Sequence, residues 1–291
     1  MKREMKSNIF KNICFSLILL LFTSCSFFQN REKNIATPDM VYTAIFLDDS
    51  YNLNKYLSEG FPVDYRDPSN KTLLMSIVES NSLKSLDVIL NKGVNLELKD
   101  DRGRTAIFYV RSLEALKKLV EIGADKDVVL NDGTPLFTYF LKDKSILYSL
   151  YLIEKGSNYT LEDEDGWNSL FWAVVIGNSD IVRALREDGA DFLIQDMKGN
   201  SPIYYAYDEK ILLELLNVPN YNLNLKNKQG ENILGEVYLR AVANGYLEVV
   251  KKLLELGVNP RYISYGDSAI SIAKERENLE MIKFLNDNNI K

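Results

Sequence analysis

A period of about 33 residues runs through this chain and limits its fold more than any other feature, because a chain that repeats itself stacks copies of one supersecondary unit. Two independent markers carry the period. The first is a small polar residue, generally two after a glycine: Thr72, Thr105, Thr134, Asn168, Ser201, Asn232 and Ser268, spaced 33, 29, 34, 33, 31 and 36. The second is a glycine further on: Gly60, Gly93, Gly123, Gly156, Gly189 and Gly257, spaced 33, 30, 33, 33 and 68. The last gap is two periods with one glycine lost, expected near Asn222.

Between the markers the apolar spacing predicts two short helices. Thr or Ser opens the first as an N-cap, and Pro135 or Pro202 follows at its first position, where a missing backbone donor costs nothing. In the fifth unit Leu170, Ala173 and Val174 share a helix face before Gly177-Asn178 interrupts it. Ile181, Val182 and Leu185 then make the stripe of a second helix that Gly189 closes. The stripe recurs as Val88, Ile89 and Leu90, as Leu116, Leu119 and Val120, and as Val249, Val250, Leu253 and Leu254.

Thr134-Pro135-Leu136-Phe137 and Ser201-Pro202-Ile203-Tyr204 resemble the Thr-Pro-Leu-His opening of the ankyrin repeat, and Gly123-Ala124-Asp125 and Gly189-Ala190-Asp191 resemble its closing Gly-Ala-Asp. The resemblance covers Thr37 to the C-terminus and implies an all-α fold, an ankyrin-repeat solenoid of helix-turn-helix units joined by β-turn or hairpin loops. The signature histidine, which ties a turn together in that family, is absent throughout: Met75, Phe108, Phe137, Phe171 and Tyr204 stand in its place. These turns are expected to lean on aromatic packing instead.

Two units depart from the common length. Thr105 to Gly123 is three residues short of the 21 between Thr72 and Gly93, and Asn232 to Gly257 is four long. Three or four residues are close to one helical turn, so the same side chains should still face the core. Asp39 to Asp64 can serve as a first unit, and Lys274 to Asn278 with Asn286 to Asn289 give the last a polar exterior. Residues 37–291 are therefore expected to form one domain of about seven or eight repeats.

The first 36 residues read differently. Lys2, Arg3, Lys6 and Lys11 precede an apolar run from Ile13 to Phe22 that is too short for a bilayer span, and residues 1–24 read as an export signal. Leu21-Phe22-Thr23-Ser24-Cys25 resembles the lipobox of bacterial lipoproteins, with Phe22 where Leu, Val or Ile is usual. That resemblance implies acylation of Cys25, the loss of Cys14 with the signal, and a solvated tether over residues 25–36. Processing would change the charge balance from 35 minus 41 to 31 minus 40, about -9, so lipid and not charge would have to hold the chain on an anionic leaflet.

Composition excludes several functions. A chain of 291 residues with formal charge -6 lacks the basic face that nucleic acid requires. With no histidine and two cysteines it lacks the commonest general base and metal ligands, and neither a nucleophile elbow nor a phosphate loop is present. No cofactor and no catalysis are expected. The acidic run Glu162, Asp163, Glu164 and Asp165 lacks the spacing of a calcium loop and reads as a solvated turn.

In the ankyrin family, the turns and the exposed side of each first helix build a concave face that grips partners. Carried over position by position, that face holds Trp167, Val175 and Ile176 in the fifth unit, with Arg104, Lys142, Asn200, Asp208, Glu209 and Glu231 on its neighbours. Trp167 is either an exposed anchor or a packing residue of the adjacent turn; Phe171 and Trp172 read as core or inter-repeat filler, and Tyr204, Tyr205 and Tyr207 as packing. The expected function is an envelope-anchored, monomeric protein-interaction module that presents an acidic concave surface to a protein partner, on the periplasmic face or the cell surface. An immunity-type inhibitor of a toxin, a structural envelope lipoprotein and a lipid-anchored hydrolase are the alternatives.

Overall fold

The computed structural model describes residues 36–218 and 221–290. The expected export signal, Cys25 and nearly all of the expected tether lie outside these residues. Fourteen α-helices and two 3₁₀ turns occur among the described residues, and contacts group them into two compact units.

The first unit comprises the described residues up to Leu98 together with Tyr109–Arg111. Its helices are α1 (Pro38–Phe46), α2 (Ser50–Ser58), α3 (Leu73–Glu79) and α4 (Leu83–Leu90). Thr37 caps α1 by accepting the Met40 amide, with Pro38 at the first helical position; Asp49 caps α2 through the Asn52 amide. At α3, Thr72 accepts the Met75 amide while Met75 Sδ accepts the Thr72 amide, so the thioether takes the acceptor role usual for a Glu side chain. Helix α1 packs on α3 and α2 on α4, around Val41, Ile45, Leu53, Leu73, Met75, Ile77, Leu86 and Ile89.

The second unit comprises Lys99–Phe108 and Ser112 onward. It contains α5 (Leu113–Ile122), α6 (Leu136–Lys142), α7 (Ile146–Glu154), α8 (Ser169–Ile176), α9 (Ser179–Glu187), α10 (Glu209–Leu216), α11 (Ile233–Asn244), α12 (Leu247–Leu256), α13 (Ala269–Glu275) and α14 (Leu279–Asp287). Packing is pairwise between equivalent helices: α6 on α8, α7 on α9, α9 on α10, α10 on α12 and α11 on α13. Each pair is joined to the next by a turn, closed by a single bridge at Val129–Pro135 and Lys226–Asn232 and by the two-residue strands β1 (Ile263–Ser264) and β2 (Asp267–Ser268) in the last.

The irregular lengths are absorbed in the first helix of a pair. In the short third repeat that helix is one 3₁₀ turn, Ala106–Tyr109, and in the long seventh it is α11, 12 residues against 7 or 8 in α3, α6, α8 and α13. The sixth repeat is short as well: its first helix is the 3₁₀ turn Pro202–Tyr205 and its second ends at the cap Asn217. The lost closing glycine thus belongs at Asn217-Val218, some residues before Asn222. Gly123 and Gly257 end α5 and α12 at φ 104° and 100°, a left-handed conformation that glycine adopts without strain.

Candidate partner-binding face

Between one helix pair and the next the chain must reverse, and in this protein a carboxylate or amide fastens most of the reversals. Asp67, Asp100, Asp163, Asp196 and Asn227 each place Oδ1 to accept the backbone amides two and four residues on, at 2.8–3.1 Å. One side-chain oxygen therefore satisfies two donors that the turn leaves without a backbone acceptor. The fourth position is Asn70 in the first of these turns and a glycine in the other four, and at Gly199 the glycine lets the next turn come close: a Cβ would stand 3.1 Å from the Lys228 amide nitrogen.

The second carboxylate oxygen reaches the aromatic side chains of the first helices. Asp163 Oδ2 accepts the Trp172 indole at 2.7 Å and lies 3.8 Å from Lys142 Nζ, which sits 3.8 Å over the centre of the Trp172 ring. Asp196 Oδ2 accepts the Tyr205 hydroxyl at 2.6 Å and the Trp167 indole at 3.2 Å. Asn200 donates to Tyr205 Oη, Asn227 donates to Asn200 Oδ1 and to Glu231 Oε2, and Tyr204 and Tyr265 donate to the Glu231 carboxylate. Burial and the acceptor Asp196 push the Tyr205 hydroxyl up to about 12, and burial with Glu231 does the same for Tyr204. The bonds from Asn227, Tyr265 and Tyr204 hold the Glu231 carboxyl below its ordinary value. These groups are fixed in charge near neutral pH, which suits recognition more than proton transfer.

The structure redistributes the roles read from the sequence. Trp167 is half-buried, not an exposed anchor: it stacks on Phe171 at 5.6 Å, tilts against Tyr205 at 4.8 Å and meets Trp172 edge-on at 5.2 Å, because Asp196 of the next turn draws its indole inward. Asn200, with 3% exposure, is buried in the relay between Tyr205 and Asn227 and offers nothing to a partner. Arg104 pairs with Asp100 of its own turn at 2.8 Å. Asp208 is exposed and caps α10 through the Lys210 and Ile211 amides, with half-buried Glu209 beside it; Glu231 is half-buried and fully engaged. Val175 and Lys142 remain exposed and Ile176 is partly so. Of the acidic run, Asp163 has turned inward as a turn fastener while Glu162, Glu164 and Asp165 face solvent. Among the histidine replacements Phe108, Phe137 and Phe171 are buried, as aromatic packing requires, whereas Tyr204 bonds to Glu231.

Beside these residues lies a cleft of about 650 Å³, lined by Arg102, Arg104, Asp132, Tyr139, Lys142 and Asp143 with their neighbours. It carries both signs of charge, Arg102, Arg104 and Lys142 against Asp101, Asp132 and Asp143. On later repeats Met197 and Tyr265 project from turns and Tyr207 from the connection after the 3₁₀ turn Pro202–Tyr205, with exposures of 58%, 89% and 67%. Arg240, pressed over Tyr207 at 4.7 Å and donating to the Ile203 carbonyl, is held below its usual pKa by burial. Among the described residues no group of histidine, cysteine, aspartate and glutamate is placed to hold a metal ion.

Residues 106–196 match the family model of ankyrin repeats in three copies. The ankyrin repeat domain of Bcl-3, a member of the IkappaB protein family, superposes with a TM-score of 0.55 at 18% identity, covering 86% of this chain and 98% of that one. The chain has the ankyrin-repeat fold. Ankyrin-repeat sequences similar to it include a protein of Acanthamoeba polyphaga mimivirus, 26% identical over 71% of this chain and 31% of that protein. Another is the phosphocholine transferase AnkX of Legionella pneumophila, 24% identical over 79% of this chain and 26% of the transferase. The chain thus spans about a third or less of the length of these two relatives.

Proposed function

We propose that this chain is a non-catalytic recognition module, held at a bacterial envelope by acyl chains on Cys25, which binds a partner protein with the face built by its turns and first helices. Ankyrin repeats generally act in protein–protein interaction, and the observation that carries the reading here is the 650 Å³ cleft bearing Arg104, Tyr139 and Lys142. Arg and aromatic side chains concentrate interface energy when a partner excludes water from them. At that cleft Lys142 is already held by its contacts with Asp163 and Trp172, so little ordering of that side chain would be lost on binding. Lipid anchoring is supported by the basic start, the apolar run and Ser24-Cys25.

Crosslinking in the native cells tests the reading. A photoreactive residue at Val175, exposed at the end of α8, should capture one protein in high yield, and Arg104→Ala with Lys142→Ala should reduce capture about tenfold, the equivalent of roughly 1.4 kcal/mol. Capture of nothing, or capture indifferent to both substitutions, would remove this face from the function. Trp167→Ala is a poor probe, because it unpacks the aromatic cluster that shapes the site.

A further inference from the structure

The first helix pair leaves apolar side chains in solvent where its own fold has no use for them. Phe46, Leu47 and Tyr51 have exposures of 79%, 66% and 78% across the α1–α2 connection, and Met40 on α1 has 46%. Met40 and Leu47 line a shallow cleft of about 340 Å³ with Thr43, Ala44 and Tyr56 and the polar Asp39, Asp49 and Asn52. The acidic residues of the same connection are occupied: Asp48 accepts the Lys84 and Ser85 amides at 3.3 and 2.8 Å, and Asp49 accepts the Asn52 amide at 3.0 Å and its side-chain amide. Capping therefore draws the two carboxylates toward backbone, and the rings and aliphatic groups are what the connection presents. Single exposed apolar residues are ordinary; three within six positions are a patch.

The sequence says what lies near this patch. Thirteen positions separate Cys25 from Pro38, the start of α1. As a random coil, a chain of that length would span on the order of 20 Å, and fully extended no more than about 45 Å. If acyl chains hold Cys25 in a bilayer, α1 is kept within that distance of the headgroups. Aromatic and aliphatic side chains on a loop tip are suited to that boundary, where the apolar body leaves water and a tyrosine hydroxyl stays wet.

We propose that Met40, Phe46, Leu47 and Tyr51 form a lipid-contacting patch that seats the first helix pair in the bilayer interface and so orients it on the membrane. This rests on the acylation of Cys25 proposed above. The patch adds a second, weaker attachment to the acyl chains and limits the directions in which the first unit can face.

The test uses the full acylated protein in phosphatidylcholine vesicles, with the mass of Cys25 checked first. Once Cys14 has left with the signal and Cys25 is acylated, an introduced cysteine is the sole free thiol. A polarity-sensitive fluorophore is placed in Leu47→Cys or, as a control, in Asn91→Cys. Asn91 lies at the end of α4 away from Asp48, about 12 Å further along a helix of eight residues. The label at 47 should shift to the blue and be quenched at least threefold more than the label at 91 by lipids brominated along their chains. Adding Phe46→Ser and Tyr51→Ser, both exposed and so harmless to folding, should bring the two labels together. Equal quenching in the acylated protein, or a photocrosslink from position 47 to a second copy or another protein in place of lipid, overturns the patch while leaving the anchor standing. An unmodified Cys25 overturns both.

Discussion

The turn at Asp196–Asn200 and the turn at Leu130–Thr134 have the same backbone and different fastenings. In each, the first residue's amide donates to the fifth residue's carbonyl, at 2.9 Å in both, and the glycine amide donates back to the first carbonyl at 2.9 and 3.0 Å. Asp196 then adds four side-chain bonds, two to its own turn and one each to Trp167 and Tyr205. Leu130 can add none, and the Thr134 amide is met from Asp132 at 3.0 Å, inside the turn and exposed to solvent. The comparison separates what makes a turn from what ties turns together. Backbone pairing and glycine are enough for the reversal; the buried carboxylate connects the reversal to the aromatic side chains of the face.

Removing the two carboxylates should therefore have very unequal effects. Asp196, with 7% exposure, leaves four donors short of an acceptor when replaced by alanine, and Asp196→Ala should cost about 3 kcal/mol. Asp132→Ala frees an amide that water can reach and should cost less than about 1 kcal/mol. Urea unfolding of both variants, followed by tryptophan fluorescence, measures the ratio, and Asp196→Ala should also move the native emission because Trp167 loses its partner. Equal costs would mean that the link to Trp167 and Tyr205 contributes nothing to stability.

How much of this the sequence reveals follows from the same contrast. Helix pairs were legible because two markers, the opener and the closing glycine, keep the period through units of unequal length. Their spacing also showed that Thr105–Gly123 is short, but periodicity does not say which helix gives up the residues. The sixth repeat hid the same shortening, since without its glycine the closure could not be placed at Asn217-Val218. The carboxylate fastening went unread because an aspartate among 41 acidic residues carries no mark of burial. A signal was present nonetheless: Asp100, Asp163, Asp196 and Asn227 each stand three residues before the turn glycine, Gly103, Gly166, Gly199 and Gly230. Trp167 stayed open between anchor and packing residue for a related reason, since its position in the turn is exposed unless a carboxylate in the next turn faces the indole.

Acid sharpens the comparison at the weaker turn. Backbone and side-chain bonds from Thr134 hold the folded Asp132 carboxyl below its ordinary value of 3.8. Its stabilisation is therefore fully present above that value and is lost as the pH falls through the lower folded value. Because Asp132 is exposed, the change should be small and local. Hydrogen exchange at the Thr134 amide, corrected for its intrinsic pH dependence, should lose protection below about pH 3.8, and the Asp132→Asn variant should show no such acid-dependent loss. Acid-dependent loss persisting in that variant would assign the effect to another group.

The smallest effect is the most direct reconstruction of the difference. Leu130→Asp restores to the turn at Leu130–Thr134 the group its neighbours use, with Oδ1 placed for the Asp132 and Thr134 amides. The gain should be modest, about 0.5 kcal/mol, because two terms oppose it: Asp132 already serves the Thr134 amide, and the half-buried Leu130 side chain gives up apolar contact in the cleft. Combining Leu130→Asp with Asp132→Ala removes the first of these terms. If a carboxylate at the head of the turn is what fastens it, the new aspartate should stabilise the Asp132→Ala background by about 1 kcal/mol, more than it does the parent, measured as a shift in the urea midpoint. No difference between the two backgrounds would show that the two acids do not compete for one amide, and no gain in either would show that the backbone alone holds the turn at Leu130–Thr134.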